Sequence, residues 1–484
     1  MSMNLKEKAV GGIIWSFADN LFRLGISFVI GIVLARLLTP EAYGLIGVIS
    51  IFTSLFITIT DSGLSTALIK KENATDKDFS TIFIANIVVS LFLYLLLYLS
   101  APFIADFFGN SQLVSLTRVT GIIVIINGLS LIQKTHLTKH VDFKTQTKVT
   151  LLASMIGGAV GISMALLGFG VWSLVAQLII SSLVTTVSLW LFNRCLPKML
   201  FSYNSFKELF GFGWKLMLVG IISTFWKDVY NLVIGKCYQP AVLGQYTRSK
   251  QFADLCSSNI TSVVQRVSLP ILSRVQSDQR QMLNVYRKTL RLTAFVSFVL
   301  LCGLAGISQT FIYVLLGEQW LTAAKFLPII CMIMMLYSIG VINLNMIAIK
   351  GRSDLCLKIE VVKKIIDILP IVMGIVYDIY WMLYASVVTS VVSYFINAYY
   401  SKVLIGYSIP EQLKDVLPSL AIALSMGIIL FVMSSCSINV YLLLIIQILF
   451  AIMYVIVVCK VTKNQEFYEI INIVKRLLGK YIHR

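Results

Sequence analysis

The sequence predicts an all-α polytopic membrane protein, and three observations carry that prediction. Hydrophobic residues make up 58% of the 484 and charged residues only 13%, against roughly 45–50% and about 25% in soluble chains. Apolar runs such as IFIANIVVSLFLYLLLYLSAPFI (82–104) and VSFVLLCGLAGISQTFIYVLL (296–316) reach the roughly 20 residues a helix needs to cross a bilayer. Hydropathic valleys divide the chain into about fourteen such spans, an even number that puts both termini on one side.

The elements follow in order. The first apolar run (10–37) is too long for a signal-peptide core, carries Asp19 and Arg23, and shows no small-residue cleavage site, so it reads as a retained first helix. The formal charge of +18 is a topology signal and excludes nucleic acid as its explanation. Most Lys and Arg fall at the termini and in alternate loops: Lys70 to Lys77, Lys134 to Lys148, Arg266 to Arg291, Lys350 to Lys364 and the tail from Lys460. The opposite loops carry Arg36, Lys236 and Lys325. The positive-inside rule then places the termini in the cytosol. Eight cysteines stand singly, which fits neither a disulfide framework nor a zinc site. His136 and His140, a turn apart in a basic loop without further nearby Cys or His, read as a solvated face, and no metal is expected.

A junction recurs. LARLLTPEAYGLIGV (34–48) and IGKCYQPAVLGQYTR (234–248) each place a cation, a proline four residues on and a glycine four further. Sliding the chain by 200 residues also matches Gly11 with Gly211, Val33 with Val233, Phe52 with Phe252, Leu55 with Leu255 and Ser62 with Ser262. PFIADFFGNSQL (102–113) then answers TFIYVLLGEQWL (310–321) at an offset of 208. The slip falls in a basic cytosolic segment, SRVQSDQRQMLNVYRKTLR (273–291), and loops tolerate insertions. Both junctions face outward, so the copies run in parallel, related by an axis along the membrane normal. The expected organisation is two six-helix bundles (1–200 and 201–408), two further helices (409–461) and a cytosolic amphipathic basic tail (462–484).

Polar stripes repeat with the chain. Helix 1 carries Ser16, Asp19, Asn20, Arg23 and Ser27, and helix 7 carries Ser223, Lys227 and Asn231. Helix 2 carries Ser50, Ser54, Thr58 and Asp61; helix 8 carries Lys250, Asp254, Ser258 and Thr261 at the same four positions plus 200. Each stripe follows helical spacing. A basic residue at mid-bilayer costs about 2.5–3.5 kcal/mol. Arg23, Arg118, Lys227, Arg248 and Lys250 would together cost roughly 12–17 kcal/mol facing lipid, as much as a whole fold's stability. They are therefore expected to line a wet chamber or be paired. Asp19 with Arg23 and Lys250 with Asp254 stand at i, i+4, while Lys227 points away from Asp228. A cationic chamber implies an anionic group on the substrate, such as a phosphate. Asp19, Asp61, Asp228 and Asp254, and also Asp367, are the candidates for taking a proton or sodium, or for pairing; spacing does not choose among them.

Gly157, Gly158 and Gly161 read as close helix packing, and Pro40 and Pro240 as helix ends at the membrane surface. Pro270, Pro328 and Pro370 read as kinks. In the tail, Phe467, Ile470, Ile471, Val474, Leu477, Leu478 and Tyr481 form an apolar face beside Lys475, Arg476 and Lys480, which suits the anionic cytosolic leaflet.

The Pro40–Gly44 junction, LGFGVWSLVAQ (167–177), YTRSKQF (246–252) and KGRSDL (350–355), in this order, resemble bacterial polysaccharide flippases. These form the O-antigen and exopolysaccharide (Wzx-type) branch of the multidrug/oligosaccharidyl-lipid/polysaccharide exporter superfamily. The resemblance covers nearly the whole chain. It implies a V-shaped pair of six-helix bundles in the bacterial cytoplasmic (inner) membrane that alternates access. The implied substrate is a sugar repeat unit on undecaprenyl pyrophosphate, with a cation at the position of Arg23. It also implies H+ or Na+ coupling without a cofactor, and a polysaccharide polymerase and glycosyltransferases as partners. The chain agrees in lacking a GxxxxGK[ST] loop. The alternatives are a lipid II flippase, a cation-coupled multidrug exporter and a membrane glycosyltransferase or polymerase. The exporter would favour carboxylates over cations, and the enzyme would need a constellation for chemistry; outer loops such as SSCSINV (434–440) are short. The expectation is a transporter, not an enzyme.

Overall fold

Lipid offers backbone groups no hydrogen bonds, so a chain this apolar must bond its peptide groups within helices. The computed structural model describes residues 25–482 except Ser62, residues 194–196, Met199, residues 276–277 and Ser437. Asp19 and Arg23 lie outside the described residues. Among the described residues the ordered elements are helices, with no strand.

The chain divides into two compact units between Gly244 and Gln245. The first holds α1 (Gly25–Leu37), α2 (Pro40–Asp61), α3 (Leu64–Lys70), α4 (Asp76–Phe108), α5 (Gln112–Thr120), α6 (Ile122–Lys139), α7 (Phe143–Leu166), α8 (Val171–Phe192) and α9 (Tyr203–Cys237). The helix α10 (Pro240–Arg274) crosses the division. The second unit continues with α11 (Gln279–Gly306), α12 (Ser308–Leu316), a single 3₁₀ turn (Glu318–Trp320) and α13 (Leu321–Ile349). It ends with α14 (Ser353–Ile366), α15 (Ile368–Val376), α16 (Ile379–Ile405), α17 (Ile409–Met433), α18 (Val440–Val461) and α19 (Gln465–Ile482). The sequence-based boundary at 200/201 concerns the repeat, whereas α9 packs along α2, α3 and α4 of the first unit.

Among the described residues, eleven helical stretches are long and apolar enough to cross a membrane. The hydropathic reading of about fourteen also counted three segments outside these eleven. They are α1, which is short within the described residues; α10, which is long but polar; and α14–α15, which is interrupted at Asp367.

Local chemistry sets the helix ends. Thr75 and Asp78 form a capping box at the start of α4, and Ser408 with Glu411 does the same for α17. Asp142, Asp278 and Asp378 each accept from a backbone N–H in the first turn of α7, α11 and α16, satisfying donors that helix geometry leaves open. Lys134, His136 and Lys139, read from sequence as loop, form the last turns of α6. Nothing breaks that helix before Val141, whose φ of 60° turns the chain. His136 and His140 stack with ring centroids 4.2 Å apart. No group of three or more metal-ligating side chains occurs among the described residues.

The basic segment 273–291 runs from the end of α10 into the first turns of α11, and carboxylates from other helices answer it. Arg287 forks Asp415 of α17, which also accepts from Tyr407 Oη at 2.6 Å. Arg291 pairs with Glu466, and Lys288 with Glu469 at 2.8 Å. The first turns of the tail helix thus dock on protein: Phe467 and Ile470 pack against a cluster of Phe295, Ile422 and Cys459. The acidic residues of α19 lie in this docked half, and its cations, Lys475, Arg476 and Lys480, follow in the distal half.

The recurring junction has a geometric reason. A Cβ on Gly44 would stand 1.7 Å from the carbonyl oxygen of Pro240, and one on Gly244 would stand 1.9 Å from that of Pro40. The two helix starts therefore cross backbone to backbone, each glycine under the other helix's proline. Proline opens each helix without wasting an N–H, and glycine lets the backbones touch.

This crossing predicts that Gly44→Ala and Gly244→Ala each destabilise the purified protein by about 1–3 kcal/mol, the usual cost of overpacking. Gly211→Ala, whose added Cβ meets nothing within 4 Å, should be neutral or stabilising. Thermal unfolding of the three variants in detergent compares them directly.

Candidate functional site

In the first unit the polar side chains of α2 meet α9. Ser54 Oγ donates to Asp228 Oδ2 at 2.9 Å, and Thr58 and Thr224 hydroxyls lie 3.1 Å apart. A Cβ on Gly220 would stand 3.0 Å from the Thr58 methyl. Asn231 Nδ2 donates to Asp228 Oδ1 at 3.2 Å. Asp228 thus ties α9 to α2 through the Ser54 hydroxyl, while Asn231, on α9 itself, donates to the other carboxylate oxygen. Gly220, Thr224 and Asp228 recur every four residues, the small-residue spacing that brings membrane helices close. Sequence reading missed Thr224 because it grouped Ser223, Lys227 and Asn231 on one face. Asn231 lies between two faces, three residues from Asp228 and four from Lys227, and the carboxylate takes it. Ser223 and Lys227 remain exposed on the neighbouring face.

Arg118 has a task in the fold. Its guanidinium lies over the Tyr98 ring, 4.3 Å from the centroid, and Nε points at the Tyr98 carbonyl oxygen at 3.4 Å. That carbonyl would normally accept from residue 102, which is Pro102 inside α4. Proline has no N–H to give. Arg118 supplies a donor from the next helix where the proline withdrew one.

In the second unit, Gln245 and Ser249 of α10 hold the start of α13. Gln245 Oε1 accepts from Ala323 N at 2.8 Å, and Ser249 Oγ donates to the Ala323 carbonyl at 2.7 Å. Ser257 and Ser338 hydroxyls lie 3.0 Å apart further along. These contacts orient the other faces of α10. Arg248 is buried with Nη1 donating to Gln251, and Lys250 Nζ stands 5.9 Å from the Tyr246 ring centroid. Lys250 and Asp254 are half-buried, one turn apart. In the KGRSDL stretch, Arg352 forks Asp354 with two bonds of 2.9 Å, holding that carboxyl down at about 2.

The structure therefore brings Asp228 to Ser54 and Arg118 to Tyr98, and places Lys227 on α9 and Arg248, Lys250 and Asp254 on α10. Asp61 closes α2. Loss of Arg118 should matter mainly while Pro102 is present. Arg118→Leu is expected to lower stability, and Pro102→Ala, which restores an N–H for Tyr98, should reduce that loss by about 1 kcal/mol. Melting temperatures of the two single variants and the double variant test the coupling; strict additivity would refute it.

Comparison with known proteins places the chain. The family described as polysaccharide biosynthesis protein matches residues 33–325, which include α9 and α10. The chain is 26% identical over 300 residues to the teichuronic acid biosynthesis protein TuaB of Bacillus subtilis, covering 61% of this chain and 62% of TuaB. It is 24% identical over 306 residues to the succinoglycan biosynthesis transport protein ExoT of Rhizobium meliloti, covering 63% and 62%. The aligned part thus spans 62% of the length of each of these two relatives. The likeness to the lipopolysaccharide biosynthesis protein WzxC of Escherichia coli is 23% over 443 residues, covering 88% and 89%. In fold, the chain resembles the lipid II flippase MurJ in an inward closed conformation, with a TM-score of 0.73 and 16% identity over 94% of this chain and 99% of that one. It also resembles an inward-facing MATE multidrug transporter, with a TM-score of 0.61 and 15% identity over 81% and 98%. The protein is a multi-pass membrane protein of the MurJ and MATE fold, and it belongs to the polysaccharide biosynthesis protein family.

Proposed function

We propose that this protein carries undecaprenyl-pyrophosphate-linked oligosaccharide repeat units across the bacterial cytoplasmic membrane for surface polysaccharide synthesis. The observation that carries the reading is the family match over α9 and α10, the helices that hold Lys227, Arg248 and Lys250 in a multi-pass membrane protein. A pyrophosphate carried through lipid needs cations placed there. The names of the relatives support the substrate class: teichuronic acid, succinoglycan and lipopolysaccharide biosynthesis. The protein moves its substrate and makes or breaks no covalent bond in it. Both termini face the cytosol, on the positive-inside rule, and the glycosyltransferases and polymerase that build and use the repeat unit are its partners.

Transport proceeds by alternating access in two parallel copies, 1–200 and 201–408. The reciprocal crossing of Pro40–Gly44 with Pro240–Gly244 supports that organisation, since each glycine meets the other junction's proline. A lipid II flippase is the second reading, favoured by the likeness of the fold to MurJ; both substrates present a pyrophosphate to the same cations.

Deleting the gene in its host and extracting membrane lipids separates the two. Accumulation of an undecaprenyl-linked oligosaccharide with loss of surface polysaccharide is expected. Accumulated lipid II with arrested wall synthesis would establish the second reading, and new drug sensitivity with unchanged lipids would refute both. In the complemented strain, Arg23→Ala and Lys227→Ala should each lower surface polysaccharide at least about tenfold at unchanged membrane abundance. Normal polysaccharide from both would refute the cationic chamber.

A further inference from the structure

The first turns of α11 carry more cationic donors than their carboxylates use. Arg287 and Arg291 stand at i, i+4 on one face of the helix, with Lys288 beside them. Together with Leu292, Glu466 and Glu469 they line a cavity of about 280 Å³ where α19 docks, a volume at the lower end of the small-molecule range.

The three ion pairs differ in kind. Arg287 gives Nε and Nη2 to Asp415, and Arg291 gives Nε and Nη2 to Glu466 and Gln465. The two acids are shielded, with side chains 8% and 6% exposed, so these contacts fix the guanidinium planes. Among the described residues no hydrogen-bond partner takes Nη1 of either arginine. Lys288 and Glu469 meet at 2.8 Å with side chains 58% and 36% exposed, and an exposed pair contributes little. Glu469 is the partner that yields most readily. Without it, Arg287, Lys288 and Arg291 face only Asp415 and Glu466, a surplus of one positive charge. An ammonium and two spare guanidinium edges suit a phosphate.

Depth sets the rest of the ligand. Arg291 is the last charged residue of α11, and the helix continues uncharged to Gly306. Leu292, Val296 and Leu300 follow Lys288 along one i+4 row of the helix surface. Leu292 and Val296 are half-buried, and Leu300 is exposed. Cations above an apolar track match the polarity of a phospholipid, phosphate above and acyl chain below. The positive-inside reading gives this end of α11 the cytosolic leaflet, which carries anionic lipid.

We propose that this cavity binds the phosphate of an anionic phospholipid through Lys288 and the Nη1 edges of Arg287 and Arg291, with Glu469 of the tail helix as displaceable competitor. Asp415 and Glu466 are positioning residues that hold the guanidiniums and stay in place. The site does not depend on which substrate the protein carries, and its test needs no transport.

The full-length protein in detergent is titrated with phosphatidylglycerol, and with phosphatidylcholine as the zwitterionic reference, while native mass spectrometry counts the lipids retained. Phosphatidylglycerol should bind more tightly. Glu469→Gln should raise its affinity about fivefold, and Lys288→Gln should lower it by about as much. The double variant should stay within about twofold of Lys288→Gln, because Glu469 acts only through that ammonium. Both positions are surface-exposed and outside the arginine contacts, so the fold tolerates the changes. Lys475→Gln, which removes an exposed cation further along α19, should leave the affinity unchanged. Additive effects of the two substitutions, or an equal loss in Lys475→Gln, would show attraction by bulk charge and overturn the site. Equal affinity for the two lipids would overturn it as well. Glycerol phosphate, a headgroup without acyl chains, should bind at least about tenfold more weakly; equal binding would assign the cavity to a soluble phosphate and remove the lipid.

Discussion

Everything in this molecule answers to the absence of water around its helices. A polar group in lipid must find its partner inside the protein, or it raises the cost of the whole fold by several kcal/mol. The most economical answer is the helix itself, which explains why the described elements are helices. The informative places are those where the helix fails to supply the partner. Pro102 withdraws a donor, and Arg118 reaches over from α5. The carboxylate of Asp228 needs hydrogen bonds, and Ser54 and Asn231 give them. Ser249 and Gln245 bond the backbone where α13 begins. These polar contacts tie helices to each other where apolar packing alone distinguishes poorly between a neighbour and lipid.

Much of this was legible in the sequence, because the same solvent constraint writes a simple code. Length and hydropathy give the spans, loop charge gives the expected topology, and the 200-residue offset draws attention to Pro40, Gly44, Pro240 and Gly244. The reason for that motif was not legible: the sequence reads each proline as ending a helix, whereas each opens one, and the contact requires knowing that the two starts cross. Arg118 makes a contact that was not legible, for a related reason. It stands among charges that look destined for a chamber, and its partner is a main-chain oxygen 20 residues away, which leaves no mark in side-chain spacing. Thr224 was missed because a threonine in an apolar helix carries little signal until the neighbouring helix is known. The end of α6 was misjudged because lysines and histidines near a membrane surface look alike in loop and helix.

The tail shows how charge order carries information that net charge conceals. Composition assigns the chain an excess of positive charge, and the segment 273–291 reads as a basic cytosolic insertion. Three carboxylates, Asp415, Glu466 and Glu469, pair with its Arg287, Arg291 and Lys288. Surface ion pairs contribute little each, but Glu466 is only 5% exposed, and Phe467 and Ile470 add apolar packing beside it. The proximal half of α19 therefore belongs to the protein, and charge order along the helix, acidic first and basic after, follows that division.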